Sequence, residues 1–142
     1  MIRTGNEVAR WVCKKLHSAP QEGSEGIGLE KDGKLVAGVC YDNWTGRSIM
    51  AHIVVDGRMT PAYLHAIFHY PFEHLGLEKV ICPIAQSNTE SIRLATKMNF
   101  TREATLRDAH PDGDIYLYTL KRKDCRFTGD RYGKKCKPAS RS

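Results

Sequence analysis

The pair Asp32-Gly33, set between residues 27–31 and 35–41, constrains this chain more than any other feature. A two-residue connection between paired strands needs positive φ at both central positions, which Asp and Gly tolerate and most residues do not. The flanking runs are rich in Ile, Leu, Val and Tyr, so they read as two antiparallel strands closed by a tight turn. Residues 42–46 make the next turn, and 48–55 a third strand. The core therefore begins as an antiparallel meander.

Helices flank the meander. Asn6 stands where a cap is needed, and Val8, Ala9, Val12, Cys13 and Leu16 recur at the three-four period with Trp11 beside the stripe. Residues 18–24 read as a loop. Thr60-Pro61 opens a second helix, because Pro at the first helical position lacks an N–H that has no partner there anyway. Its apolar face runs from Leu64 through Ile67, Phe68 and Phe72 to Leu75; Pro71 is expected to kink it and Gly76 to end it. Residues 79–84 form a buried-type strand. Residues 88–98 form an amphipathic helix with Ile92, Leu94 and Ala95 inward. Residues 100–106 and 115–121 are strands joined by His110-Pro111-Asp112-Gly113. The order α, β-β-β, α, β, α, β-β describes an α/β protein with a mixed, mostly antiparallel sheet and helices on both faces.

A chain of 142 residues suits one domain, and 27% charged with 41% hydrophobic residues excludes wholesale disorder. No apolar run approaches the ~20 residues of a membrane helix, and the first residues lack the apolar stretch of a signal peptide. Five cysteines without a C-x-x-C pair suit a reducing compartment, and Cys40 and Cys82 lie in apolar runs as small buried hydrophobes. The expectation is a cytoplasmic protein with no membrane partner, monomeric or homodimeric. Of the six net positive charges, five fall in residues 126–142, where six basic residues face Asp130 alone. The chain thus divides into a near-neutral domain, 1–125, and a basic tail, 126–142. That tail can attract nucleic acid or an acidic protein, or simply be solvated.

The stretch from Asn88 to Arg107 carries a more specific signal. It reads Asn88-x-x-Ser91-x-Arg93-Leu94-x-x-Lys97-Met98-Asn99-Phe100, then Glu103, Leu106 and Arg107. With the order of elements, this resembles the GNAT N-acetyltransferase superfamily, and most nearly the branch that acetylates ribosomal-protein α-amino groups. That branch has Asn-x-x-Ser-x-Arg-Val and Lys-x-Gly-Phe, followed by Glu and Arg. Small phage-encoded acetyltransferases are similar too, which implies a setting in a host cytoplasm. The resemblance spans about residues 25–125. It implies a sheet whose fourth and fifth family strands splay apart to admit acetyl-CoA. Amides near Val54 and Val55 would face the thioester, and Gly57, Arg58, Met59 and the Thr60 hydroxyl the pyrophosphate. Met59 and Pro61 stand where the family's loop has glycines, and Ala95 where many members have a proton-donating Tyr. Asn99 replaces the usual Gly before Phe100; Asn tolerates the left-handed conformation at a helix end.

The chemistry requires a deprotonated amine, a polarised thioester carbonyl and a proton for the leaving thiolate. His110 is the first candidate base, at the hairpin end of the sixth strand, although its tetrapeptide also makes a well-formed turn. His52, on the same strand face as Met50 and Val54, is the second; a plain sheet histidine is the alternative. Ser91 is the candidate acid, and Asn88 orients the cofactor amide, caps its helix, or both. Trp44, Glu103 and Asp108 are candidate acceptor contacts. His65 and His69 stand one turn apart but lack the companions of a metal site, and none is expected. The leading expectation is acetyl-CoA-dependent acetylation of an amine, a protein N-terminus, a lysine or a small amine. The alternative is the same fold kept as a protein- or nucleic-acid-binding module.

Overall fold

The computed structural model describes residues 1–18 and 24–128. Its strands form one sheet in the order β1-β2-β3-β4-β5-β7-β6, antiparallel throughout except where β4 meets β5. The expected hairpin is present: β2 (Glu25–Lys31) and β3 (Lys34–Asp42) turn through Asp32 and Gly33 at φ 53° and 80°. The short β1 (Ile2–Thr4), pairing with β2, was not foreseen, since three residues are too few for an alternation to register. It also relocates the first cap. The chain turns at Gly5, φ 122°, whose N–H donates to Gly26 O, so Asn6 lies inside α1 (Asn6–Lys15) and makes no capping bond.

The helices divide between the two faces. Val8, Ala9, Val12 and Cys13 of α1 pack against Cys40 on one face. On the other face, α2 (Pro61–His69) and α3 (Thr89–Lys97) cover the main core, which includes Ile49, Ala51 and Ile53 of β4 (Ser48–Val55). Alternation then turns His52 and Val54 toward the α1 side. Thr60 caps α2 by accepting from Tyr63 N–H at 3.1 Å, as expected. Pro71 does more than kink the helix. Lacking an N–H, it leaves Ile67 C=O without its helical donor, and the buried Tyr41 hydroxyl donates to that carbonyl instead. Around it the backbone widens into a π-helical turn (Tyr70–His74).

After β5 (Lys79–Ala85) and α3, the hairpin of β6 (Thr101–His110) and β7 (Gly113–Lys121) closes the sheet. β6 runs well past the expected end at 106 because bulges around Glu103 and before His110 absorb the twist, with Asp108 at φ 55°. Phe127 is buried, 5.0 Å from the Phe68 ring centroid, so the core reaches past residue 125. The rest of the basic tail, from 129 on, and loop residues 19–23 lie outside the described residues. No described helix is long and apolar enough to cross a membrane.

The sheet opens at one place. β4 and β5 pair in parallel only at Ser48↔Lys79, Ile49↔Val80 and Met50↔Ile81. Lys79 N–H donates to Arg47 O, which sets the pattern: odd residues of β4 face β5. Continuing that register, the next β5 donor would be residue 83, giving its hydrogen to Ala51 C=O. Residue 83 is proline. The ladder stops at the step it cannot make, while β3 and β7 hold the two strands on their outer sides.

Candidate active site

The opening between β4 and β5 leads into a cleft of about 390 Å³ that passes through the sheet. On the α1 side its wall is the end of that helix, Lys15 to Ser18, with His52, Pro83 and His110. On the other side lie Cys82, Ile84, Asn88, Ser91, Leu94, Ala95 and Met98. Four residues singled out from sequence therefore meet here: His52, Ser91, His110 and Asn88. Three do not. Trp44 is 64% exposed on the β3–β4 loop and does not line the cleft. Glu103 sits in a separate depression, tied to Lys79 at 2.6 Å and to the Thr119 hydroxyl at 2.9 Å. Lys79, with Thr119, holds its carboxyl below the usual range, as expected of an ion-paired surface group rather than a base. Asp108 is an exposed bulge residue whose N–H donates to Asp114 Oδ1.

Asn88 caps α3, its Oδ1 accepting from Ser91 N–H at 3.2 Å, which pins the first turn and carries Ser91 to the cleft wall. His52 Nε2 lies 3.1 and 3.2 Å from the two oxygens of Asp42, whose side chain is nine-tenths buried. Asp42 had not been singled out, because partners ten residues apart on neighbouring strands leave no sequence motif. His110 Nδ1 accepts from Asp112 N–H at 3.1 Å; the Asp112 carboxylate, at 3.9 Å, is too far to compete for that nitrogen. Cys82 is buried and its thiol is pushed up to about 12 by burial, so it stays protonated and is no nucleophile at neutral pH.

The backbone refines the expected cofactor contacts. Asp56 N–H donates to Val36 O, so Val54, opposite Gly38, directs its amide at β3. Ala51 N–H is spent on Ile81 C=O in the last rung of the β4–β5 ladder, and the amides turned to the opening are those of Ile53 and Val55. In the loop beyond β4, the N–H groups of Gly57, Arg58, Met59, Thr60 and Ala62 have no hydrogen-bond partner among the described residues. They lie at the amino end of α2, where backbone donors and the helix dipole favour an anion. Lys15 neutralises the neighbouring Asp56 at 2.8 Å. His17, next to it, holds φ 56° at the end of α1, a strained conformation for a non-glycine residue lining the cleft. Among the described residues no three His, Cys, Asp or Glu side chains gather as a metal site.

Solved structures share this architecture. The chain is similar to the N-acetyltransferase PseH of Campylobacter jejuni, solved with acetyl coenzyme A, at 18% identity and TM-score 0.58, covering 86% of this chain and 99% of that one. It is also similar to spermidine N-acetyltransferase of Vibrio cholerae, solved with CoA and spermine, at 15% identity and TM-score 0.66, over 87% and 96%. A ribosomal-protein-S5-alanine acetyltransferase of Vibrio fischeri matches at 14% identity and TM-score 0.59, over 72% of this chain. The chain spans 63% of that enzyme's length, and as much of a further acetyltransferase's. This is the GNAT acetyltransferase fold. No protein-family model and no curated protein matches the chain. Likeness at these identities establishes the GNAT fold and does not single out the ribosomal-protein branch.

Proposed function

We propose that the chain is an N-acetyltransferase that moves an acetyl group from acetyl-CoA to an amine. The observation that carries this reading is the opening between β4 and β5, kept by Pro83, with amides on one edge and polar side chains at its mouth. The site fits the co-substrate. A slender amide-bearing arm would take the place of a missing strand beside the Ala51 carbonyl and the Ile53 and Val55 amides. The free amides of residues 57–60 and Ala62 would receive its phosphates. Met59 and Pro61 do not close this loop: Pro61 costs one donor and Met59 packs inward.

Acetyl-CoA, when bound, supplies the acetyl group as a thioester, so a new N–C bond replaces the C–S bond and a thiol leaves. The amine nitrogen gives up two protons. A histidine on the α1 side takes the first from the ammonium, freeing the electron pair that attacks. The Ser91 hydroxyl relays the second to sulfur, replacing the Tyr that Ala95 displaces. Ile53 and Val55 N–H groups stabilise the charge developing on the carbonyl oxygen. The acceptor enters from the α1 side and is a protein N-terminus or a lysine, by resemblance of Asn88–Arg107 to the ribosomal-protein branch.

Calorimetry with acetyl-CoA and mass spectrometry of peptides incubated with enzyme and acetyl-CoA test the proposal. Saturable binding with a 42-Da gain on an amine is the expected result. No heat and no product at millimolar acetyl-CoA would leave the fold as a binding module.

A further inference from the structure

We infer that Asp42 is a positioning residue that fixes His52 as the base, while the hairpin amide of Asp112 fixes His110 as a hydrogen-bond donor. The inference rests on the acetyltransferase reading and assigns the two histidines of its site. An ionised carboxylate only accepts hydrogen bonds. With both Asp42 oxygens within 3.2 Å of His52 Nε2, that nitrogen carries the ring proton and Nδ1 keeps its lone pair. No other described group occupies Nδ1. Asp42 is itself held, its Oδ1 accepting from Asn43 Nδ2 at 3.2 Å.

His110 is anchored at the other end of its ring. A backbone N–H only donates, so Nδ1 must be the unprotonated nitrogen, and the proton sits on Nε2. The two imidazoles thus share a tautomer but offer the cleft opposite chemistry: a lone pair from His52, an N–H from His110. In the reaction the ammonium N–H breaks and its proton passes to His52 Nδ1. Asp42 stabilises the resulting imidazolium, as the carboxylate does in a Ser-His-Asp triad. His110 Nε2–H is left to hold the acceptor's carbonyl or the thioester oxygen. The other titratable and charged groups about His52 are Lys15 and His17 from the end of α1, Cys40 opposite it on β3, and Cys82 on β5. Lys15 is committed to Asp56.

Ring tautomers read by long-range ¹H–¹⁵N NMR on the whole protein test this without requiring turnover. In the wild type both His52 and His110 should appear as Nε2–H tautomers. In Asp42→Asn the amide can donate as readily as accept, so His52 should become a tautomer mixture and kcat should fall roughly 10²–10⁴-fold. Acetyl-CoA affinity by calorimetry should stay within about twofold, and Asp42→Glu should restore much of the lost kcat. An Nδ1–H tautomer for His52 or His110 in the wild type overturns the assignment. So does an Asp42→Asn protein with wild-type spectra or wild-type kcat. Absence of acetyl-CoA binding to the wild type would sink the acetyltransferase reading instead, and the tautomer spectra would still decide the hydrogen-bond geometry.

Discussion

Replacing Gly26 with alanine perturbs the cleft from a distance. A methyl group there would lie 2.6 Å from Ala9 N and 2.8 Å from both Gly5 O and Val8 Cβ. Ordinary contact begins near 3.4 Å, so α1 must retreat from β2 by about 0.8 Å where it meets the strand. The obstacle is helix backbone, which cannot rotate away as a side-chain tip would. Overpacking of this kind costs about 1–3 kcal/mol, and the alanine recovers about 0.5–1 kcal/mol of chain entropy. A net loss of about 1–2 kcal/mol follows, read as a lower urea midpoint at unchanged m. Because α1 ends in Lys15 to Ser18 on the proposed acceptor side, its retreat should raise the acceptor KM severalfold. Acetyl-CoA affinity should hold, since α3 is not touched and α1 reaches the loop after β4 through the half-exposed Lys15–Asp56 ion pair, which a flexible lysine can keep across such a shift. Unchanged stability would refute the close docking of α1. A parallel fall in acetyl-CoA affinity would refute the division of the cleft into two sides.

Phe127→Ala should cost about 3–5 kcal/mol by denaturant titration, because the ring is buried against Phe68; a surface-like change below about 0.5 kcal/mol would detach residue 127 from the domain. His17→Gly should relieve left-handed strain of about 1–2 kcal/mol less the entropy glycine costs, leaving a protein up to about 1 kcal/mol more stable, with a higher acceptor KM. Glu103, depressed by its bonds to Lys79 and Thr119, stabilises the fold above its unfolded value near 4.5, and that contribution is lost as the pH falls through the lower folded value. Glu103→Gln should therefore flatten the acid limb of stability against pH without changing turnover; a loss of kcat would return Glu103 to the site.

What was legible from sequence follows from the range of the forces involved. Turns, caps and periodic faces are local, so Asp32-Gly33, Thr60-Pro61, Asn88 and Asn99 all behave as expected, the last at φ 76°. Cys40 and Cys82 are buried, as their apolar runs require. Placement in the candidate site was legible wherever a residue's element fixed its address: Ser91 on α3 with Asn88 as its cap, His52 on β4, His110 at the end of β6. Trp44, Glu103 and Asp108 lie off the cleft for reasons that spacing does not reveal. An exposed loop carries the first, a cross-strand ion pair holds the second, and a bulge re-aims the third. Asp42 and the gap-facing parity of Ile53 emerge only once strand registers are known, because each depends on a neighbour far away in sequence.

One residue nevertheless carries a sequence signal of the opening, which reading 79–84 as a plain buried strand passes over. Proline is confined to sheet edges or bulges because it cannot donate to a ladder, and Pro83 falls inside a strand that the order of elements makes central. Those two statements conflict unless the strand is central by position and an edge along part of its length. β5 resolves the conflict: its even residues face β7 along the whole strand, while its odd side meets β4 only as far as Ile81. The missing N–H does not merely tolerate a gap; it removes the bond that would have closed it, leaving Ala51 C=O and the amides of Ile53 and Val55 on an unsatisfied inner edge. An unpaired edge inside a sheet is a liability unless something extended and polar fills it. The same proline that prevents the protein from pairing with itself thereby leaves room for a ligand with peptide-like groups, and the pantetheine arm of acetyl-CoA, the proposed co-substrate, has two.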